Sequence, residues 1–251
     1  MSLRVDDLML RFGGVAALAG VSFEAASNQI TSLIGPNGAG KTTLFNVVTG
    51  YLRPQRGEVR YENASLVGLR PYQVAERGIV RTFQKTSVFP AVTVRENVLI
   101  GLHLQGSSGV LAVLRGGRRV REEEARLRQA ADEVLALVGL AHRADDVAGA
   151  LPYGEQRLLE VAIALGARPR LLLLDEPAAG LNTGERQALI ALIGRIREQG
   201  IAILLVEHDM RLVMGISDHV VCLDHGQVVA RGAPAEVQVH PEVIRAYLGS
   251  G

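Results

Sequence analysis

Residues Gly35-Pro36-Asn37-Gly38-Ala39-Gly40-Lys41-Thr42 fit the pattern G-x-x-x-x-G-K-[ST], and this stretch restricts what the chain around it can be. Glycines let a backbone turn so that successive N–H groups point inward at a polyphosphate. A helix leaving that turn adds the positive end of its dipole. Lys41 can reach the β- and γ-phosphates, and the Thr42 hydroxyl can ligate Mg²⁺. The flanks agree with the motif: residues 29–34 read as a strand entering the loop, and residues 41–48 read as the helix leaving it.

A second stretch gains its meaning from the first. Leu171-Leu172-Leu173-Leu174 reads as a buried parallel strand, and Asp175-Glu176-Pro177 follows it. Open α/β sheets place chemistry at the carboxyl ends of their strands. Asp175 fits the Mg²⁺-ordering acid of P-loop enzymes, and Glu176 is then placed to polarise an attacking water. Another apolar run, residues 201–206, ends in Glu207-His208-Asp209. His208 reads either as a core or capping histidine or as a group at the same sheet edge, reaching a γ-phosphate. Gln84, just past a strand at residues 79–83, is a candidate ligand for metal or water in such an enzyme.

Elsewhere the chain reads as alternating strands and helices. Residues 3–10 and 21–25 look like short strands around a turn at Gly13-Gly14. Phe12 fits a core position or an exposed platform for a flat base, and spacing alone favours the core. Pro71 opens a short helix, and Thr93-Val94-Arg95-Glu96 opens another with a capping box. Residues 121–138 form a helix closed by Gly139, residues 155–166 and 185–199 form two more, and Asp224-His225-Gly226 makes a hairpin turn. Residues 101–119 read as a mobile insertion. Its Arg115, Arg118 and Arg119, with Arg121, form a basic cluster that suits a solvated loop or, more specifically, contact with lipid headgroups or a membrane partner.

Bulk properties narrow the class. The 251 residues, 48% of them hydrophobic, suffice for one large domain or two small ones. Basic and acidic residues nearly balance, 27 against 26, which argues against a nucleic-acid binder. The single cysteine, Cys222, excludes an internal disulfide and sits in an apolar run as a small core residue. No apolar segment is long enough to cross a bilayer, so a soluble, cytoplasmic chain is expected, with any membrane link made through a partner.

In their order along the chain these motifs resemble the ATP-binding subunit of ABC transporters. The resemblance covers nearly the whole sequence. It assigns Gly35, Pro36, Asn37, Gly38, Ala39, Gly40, Lys41, Thr42 and Thr43 to ATP, with Phe12 as the aromatic that stacks on adenine. Gln84 matches the Q-loop, residues 171–175 Walker B, Glu176 the catalytic glutamate and His208 the switch histidine; Lys41 and Gln84 join these two as catalytic, and Thr42, Gln84 and Asp175 would hold Mg²⁺. Leu151, Pro152, Tyr153, Gly154 and Glu155 stand at the signature, and Asn182 in the D-loop, which in the family contact ATP held by the other subunit. Residues 151–157, 175–182 and 241–249 are similar to the LivG-type subunits of branched-chain amino-acid importers.

The implied fold is α/β, a P-loop NTPase with a RecA-like core, an antiparallel β subdomain and a helical subdomain. Residues 1–251 would form one ABC ATPase domain, with the helical part, about 88–167, inserted in the core. The implied cofactors are ATP and Mg²⁺. The implied partners are a second ATPase subunit, two membrane permease subunits and, indirectly, a periplasmic or extracellular solute-binding protein, with no nucleic acid. The implied location is the cytoplasmic face of the inner membrane, as a peripheral subunit. Residues 85–98, with Phe89 as an anchor, are the expected docking surface for a permease. Pro152 and Tyr153 replace the usual Ser and first Gly of the signature, and Asn182 replaces an Asp. Proline has no N–H to donate, so an asymmetric heterodimer is expected. The competing readings are an ABC ATPase for urea, an amide or a lipid component, a non-transport ABC ATPase, and a P-loop kinase or GTPase; the last leaves Gln84, Glu176 and His208 together unexplained.

Overall fold

In the computed structural model, which describes residues 2–82, 88–103 and 118–248, the described residues form ten strands in two sheets. The backbone alone is described for residues 103, 118–120 and 248. The chain divides into two compact units. One comprises Met1–Arg81, Arg170–Ala179 and Ile193–Gly251, the other Thr82–Pro169 and Gly180–Leu192.

The first unit is built on a six-stranded sheet in the order β10 (Gln227–Gly232), β9 (His219–Asp224), β3 (Ile30–Ile34), β8 (Ala202–Val206), β7 (Leu171–Asp175), β6 (Ile79–Arg81). Strands β3 (Ile30–Ile34), β7 (Leu171–Asp175) and β8 (Ala202–Val206) are buried at every position. That is what continuous apolar runs do when a parallel sheet is covered on both faces. Successive side chains point to opposite faces, so Leu33, Val221 and Leu223 join one core cluster while Ile34, Val220 and Cys222 join another. The first cluster also takes Leu44, Phe45 and Val48 of helix α1 (Lys41–Val48) and Val74 of helix α2 (Pro71–Glu76). It takes Leu8, Val21, Phe23 and Val59 from the second, antiparallel sheet, which runs in the order β2 (Val15–Ala25), β1 (Leu3–Phe12), β4 (Arg56–Tyr61), β5 (Ala64–Ser65).

The second cluster holds residues of α7 (Met210–Ile216), α8 (Pro234–Gln238) and α9 (Pro241–Leu248). Strands β9 (His219–Asp224) and β10 (Gln227–Gly232) meet in a two-residue turn. There His225 and Gly226 both have positive φ, 45° and 77°, the hairpin geometry whose twist matches its strands.

The second unit packs α3 (Val94–His103), α4 (Arg118–Val138) and α5 (Tyr153–Gly166) on one another. Val94, Val98, Leu135, Val138 and Leu159 are buried. The capping box expected at Thr93 is present: Glu96 N donates to Thr93 Oγ1, and Thr93 N donates to Glu96 Oε2. Buried Asn97 accepts from Phe89 N at 2.7 Å and donates to Phe89 O at 3.0 Å, holding the backbone of a residue whose ring is exposed.

The first hairpin is longer than expected from the sequence. Strands β1 (Leu3–Phe12) and β2 (Val15–Ala25) pair up to Phe12 and Val15. Ala16, Ala17 and Ala19 are weak strand formers, yet Ala16 and Ala19 pair with β1 here. Helix α7 escaped notice because it is only seven residues long; Asp209 caps it, accepting from Arg211 N and Leu212 N. No described helix is long and apolar enough to cross a membrane.

Candidate functional site

Strand register assembles the site. Leu33 pairs with Val206, and Asp175 pairs with Val206, all in parallel strands. Gly35, Glu207 and Glu176 therefore emerge at one carboxyl edge, where an α/β sheet binds its ligands.

The loop from Gly35 to Gly40 is held by close backbone approach. A β-carbon at Gly35, where φ is 142°, would stand 2.1 Å from the Leu223 carbonyl oxygen; one at Gly40 would stand 2.5 Å from that of Ala17. Ala19 N donates to Gly226 O at 2.8 Å, and Gly226 N donates to Ala39 O at 3.0 Å. The backbone at the start of β2 and the His225-Gly226 turn thus press on the loop, and glycine at positions 40 and 226 allows that approach. At Gly38 a β-carbon would meet nothing within 4 Å, so this part of the loop opens outward. Pro36 is half-buried, Asn37 exposed and Ala39 buried.

Lys41 begins α1 and is 92% buried by exposed area, with 8% remaining. Its Nζ donates to Gly35 O at 2.7 Å and Pro36 O at 2.9 Å. Burial pulls the ammonium below the usual lysine range, and the charges of Glu176 and Asp175 oppose that pull. Thr42 is exposed and Thr43 half-buried on the first turn.

Asp175 is fully buried and ion-paired: Arg81 donates to Asp175 Oδ2 at 2.5 Å and to Asn46 Oδ1 at 2.7 Å, and its guanidinium lies 5.4 Å from the centre of the Phe45 ring. Removing one partner of such a pair costs about 3–5 kcal/mol, because the other is left charged and dry. Thr42 and Asp175 offer a hydroxyl and a carboxylate. Magnesium takes such hard oxygens alongside phosphate oxygens and water, so the donor set fits that ion.

Glu176 is half-buried at φ 49°, a left-handed conformation that non-glycine residues rarely adopt. Its N–H donates to Val206 O at 2.9 Å, tying it to the neighbouring strand end. One residue past that strand, Glu207 is buried. Its carboxylate accepts from Ala178 N at 2.8 Å and His208 N at 3.2 Å, so it bridges the segments that follow Glu176 and precede His208. Burial pushes the Glu207 carboxyl up, against the lowering effect of those N–H groups. His208 itself is exposed, and the capping role considered for it belongs to Asp209.

Phe12 corrects the preference drawn from spacing: it is 53% exposed at the tip of the first hairpin, beside exposed Val15. The strand runs past the apolar core there, and Phe12 belongs to neither core cluster. Gln84 lies outside the described residues, as does most of the 101–119 insertion, including Arg115.

The signature and D-loop residues gather in the second unit. Leu151 is buried, and Pro152 is the N-cap of α5. Tyr153 is 46% exposed; Arg157 Nε donates to its hydroxyl at 3.0 Å and the guanidinium sits 5.2 Å from its ring centre. Glu155 pairs with Arg143 at 3.2 Å. Gly154 is pressed against the Glu185 carboxylate, which a β-carbon would meet at 2.5 Å, and one at Gly180 would touch the Tyr153 ring at 3.0 Å. Asn182 N donates to Glu185 Oε2 and Glu185 N to Asn182 Oδ1, both at 3.0 Å, opening the helix α6 (Thr183–Glu198). Asn and Asp are equally good at that cap.

Arg81 and Glu207 are the site residues that sequence reading missed. Each carried a signal: a lone arginine in an apolar strand needs a carboxylate partner, and Glu207 follows an apolar strand as Asp175 ends one.

The comparisons with known proteins agree with this geometry. Residues 18–179 match the family described as ABC transporter. The chain belongs to that family. Residues 227–251 of the cassette also match the family described as branched-chain amino acid ATP-binding cassette transporter. The cassette is 44% identical over 248 residues to the high-affinity branched-chain amino acid transport ATP-binding protein BraF of Pseudomonas aeruginosa, covering 98% of this chain and 97% of that protein. The figures are the same for LivG of Escherichia coli. Among solved structures, the ADP conformation of MJ1267, an ATP-binding cassette of an ABC transporter, has a TM-score of 0.87 at 34% identity and covers all of both chains. A nucleotide-free cassette has a TM-score of 0.85 at 33% identity, covering 98% of this chain and 99% of its own. The fold is accordingly that of a P-loop NTPase with a RecA-like core, an antiparallel β part and a helical part, and the cassette is an ABC-type ATPase.

The two glycines separate crowding from conformation. Gly35→Ala should lose roughly 3 kcal/mol or more, since backbone must move. Gly38→Ala, at φ 82° with no neighbour to displace, should lose only about 1–2 kcal/mol. Urea midpoints of the two variants check this, and equal midpoints would contradict it.

Proposed function

We propose that this chain is the energy-coupling ATPase subunit of an importer for branched-chain or other hydrophobic amino acids. The observation that carries the chemistry is the convergence of Lys41, Asp175, Glu176 and the Glu207-His208 pair on one sheet edge. The solute class is supported by the match over residues 227–251 and by the full-length likeness to BraF and LivG.

In this reading the loop from Gly35 to Gly40, with Thr42 and Thr43, wraps the phosphates. Lys41 moves from its two carbonyls onto the β- and γ-phosphate oxygens, a stronger, charge-assisted pairing. Phe12, exposed at the hairpin tip, stacks on adenine. Thr42, Asp175 and Gln84 hold Mg²⁺, which when bound neutralises charge on the phosphate chain. Arg81 holds the Asp175 carboxylate in position through their ion pair. Glu176, fixed by its bond to Val206, orients the attacking water and takes up its proton. His208 donates to the γ-phosphate, and Glu207 sets its backbone. Residues 1–251 act as one ATPase domain, with the helical part of 88–167 set into the core.

The partners are a second ATPase subunit, two membrane permeases that place this chain at the cytoplasmic membrane face, and a solute-binding protein outside. Exposed Phe89, its backbone held by Asn97, serves as the permease contact. Leu151, Pro152, Tyr153, Gly154, Glu155 and Asn182 face the nucleotide of the second ATPase subunit. Pro152 brings no N–H to that contact and the Tyr153 hydroxyl is engaged by Arg157, which supports an asymmetric heterodimer.

Glu176→Gln should still bind ATP while its turnover falls by about 100-fold or more; turnover within about threefold of wild type removes Glu176 from that role. The same variant should remain monomeric by light scattering in MgATP and dimerise only with a different cassette subunit. A MgATP-dependent homodimer would contradict the heterodimer.

A further inference from the structure

The hydroxyl of Tyr247 accepts a hydrogen bond from Gly35 N at 2.9 Å, across 212 residues of sequence. Gly35 is the first glycine of the phosphate loop and the most crowded one, set against the Leu223 carbonyl. Its N–H is held by Tyr247 and its carbonyl by Lys41. If Lys41 turns to a phosphate, it leaves the Gly35 carbonyl, and the tyrosine hydroxyl remains on the Gly35 N–H.

Tyr247 belongs to α9 (Pro241–Leu248), which packs through Val243 and Tyr247 on the cluster that contains Ile34 and Cys222. Ile34 is the residue immediately before the loop, so the helix shares a core cluster with the end of β3 and reaches the phosphate loop itself by the hydrogen bond to Gly35. This helix lies in the stretch matched to the branched-chain amino acid cassettes, outside the 18–179 match common to ABC transporters. A contact specific to the C-terminal stretch therefore reaches the general part of the site. Burial pushes the Tyr247 phenol up to about 12, so it stays neutral and adds no negative charge beside the phosphates.

We propose that Tyr247 is a positioning residue of the phosphate loop, through which docking of the C-terminal helix and binding of nucleotide favour one another. The proposal rests on the loop being the ATP site. A seated helix fixes Gly35 for the phosphates, and by linkage a bound nucleotide holds the helix in place. Anything that pulls α9 from its seat then weakens nucleotide binding.

The test compares wild type with Tyr247→Phe, which keeps the ring and its packing and removes only the hydroxyl. MgATP affinity is measured by titration calorimetry, and amide exchange is followed in peptides covering residues 241–248. Wild type should bind MgATP and show slower exchange in 241–248 when it is bound. The variant should bind about 3- to 10-fold more weakly, the range for one lost hydrogen bond, and lose most of that nucleotide-dependent protection. A purely structural tyrosine would lower the urea midpoint of the variant and leave both readouts unchanged; that result overturns the proposal and leaves the ATP site standing. If the variant does not fold, wild type alone decides, since exchange in 241–248 that ignores bound MgATP overturns the coupling. Wild type that binds no MgATP overturns both.

Discussion

A buried ammonium resting on the carbonyls of its own loop is the interaction around which this structure is arranged. Lys41 Nζ lies on the carbonyls of Gly35 and Pro36, away from water, and its charge is disfavoured by that burial. Neutral carbonyls offset only part of the desolvation of a cation, whereas phosphate oxygens carry full charge. The charges of Glu176 and Asp175 oppose that effect of burial, and the loop keeps the lysine close to where a phosphate chain would lie. The fold's other demands follow from holding that loop: glycine at positions 35 and 40, and a positive-φ turn at His225-Gly226.

The same edge stores polar groups in a dry setting, and each is fastened. Asp175 is paired with Arg81, Glu207 accepts two backbone N–H groups, and Glu176 keeps a left-handed backbone through its bond to Val206. Strain and buried charge of this kind lower stability and persist where surrounding structure over-determines them. Glu207 links the backbone after Glu176 to the backbone of His208, so its carboxylate ties the two strand ends together.

Much of this was legible in the sequence because the signals were local. The strand, loop and helix around residues 30–48 follow from a motif whose spacing leaves few backbone solutions, and α1 spans residues 41–48 as read. Buried parallel strands announce themselves as apolar runs, as at residues 171–174. What escaped depended on pairs distant in sequence. Ala16 to Ala19 look unlike a strand until Gly226 is beside them, Arg81 gains its role from Asp175, and Tyr247 gains its role from Gly35. Phe12 went astray for the opposite reason: apolar spacing marks a side chain that could be buried, and a hairpin that runs past its core leaves the last one outside.

The residues read for ATP divide between the two compact units, with Lys41, Asp175, Glu176 and His208 in one and Tyr153, Gly154 and Asn182 in the other. All of the chemistry assigned to the first rests on Lys41 meeting a phosphate. The most direct measurement is calorimetric titration of MgATP into wild type and Lys41→Ala. Losing two charge-assisted hydrogen bonds should weaken binding by about 100-fold or more. Binding within about threefold of wild type would contradict the account.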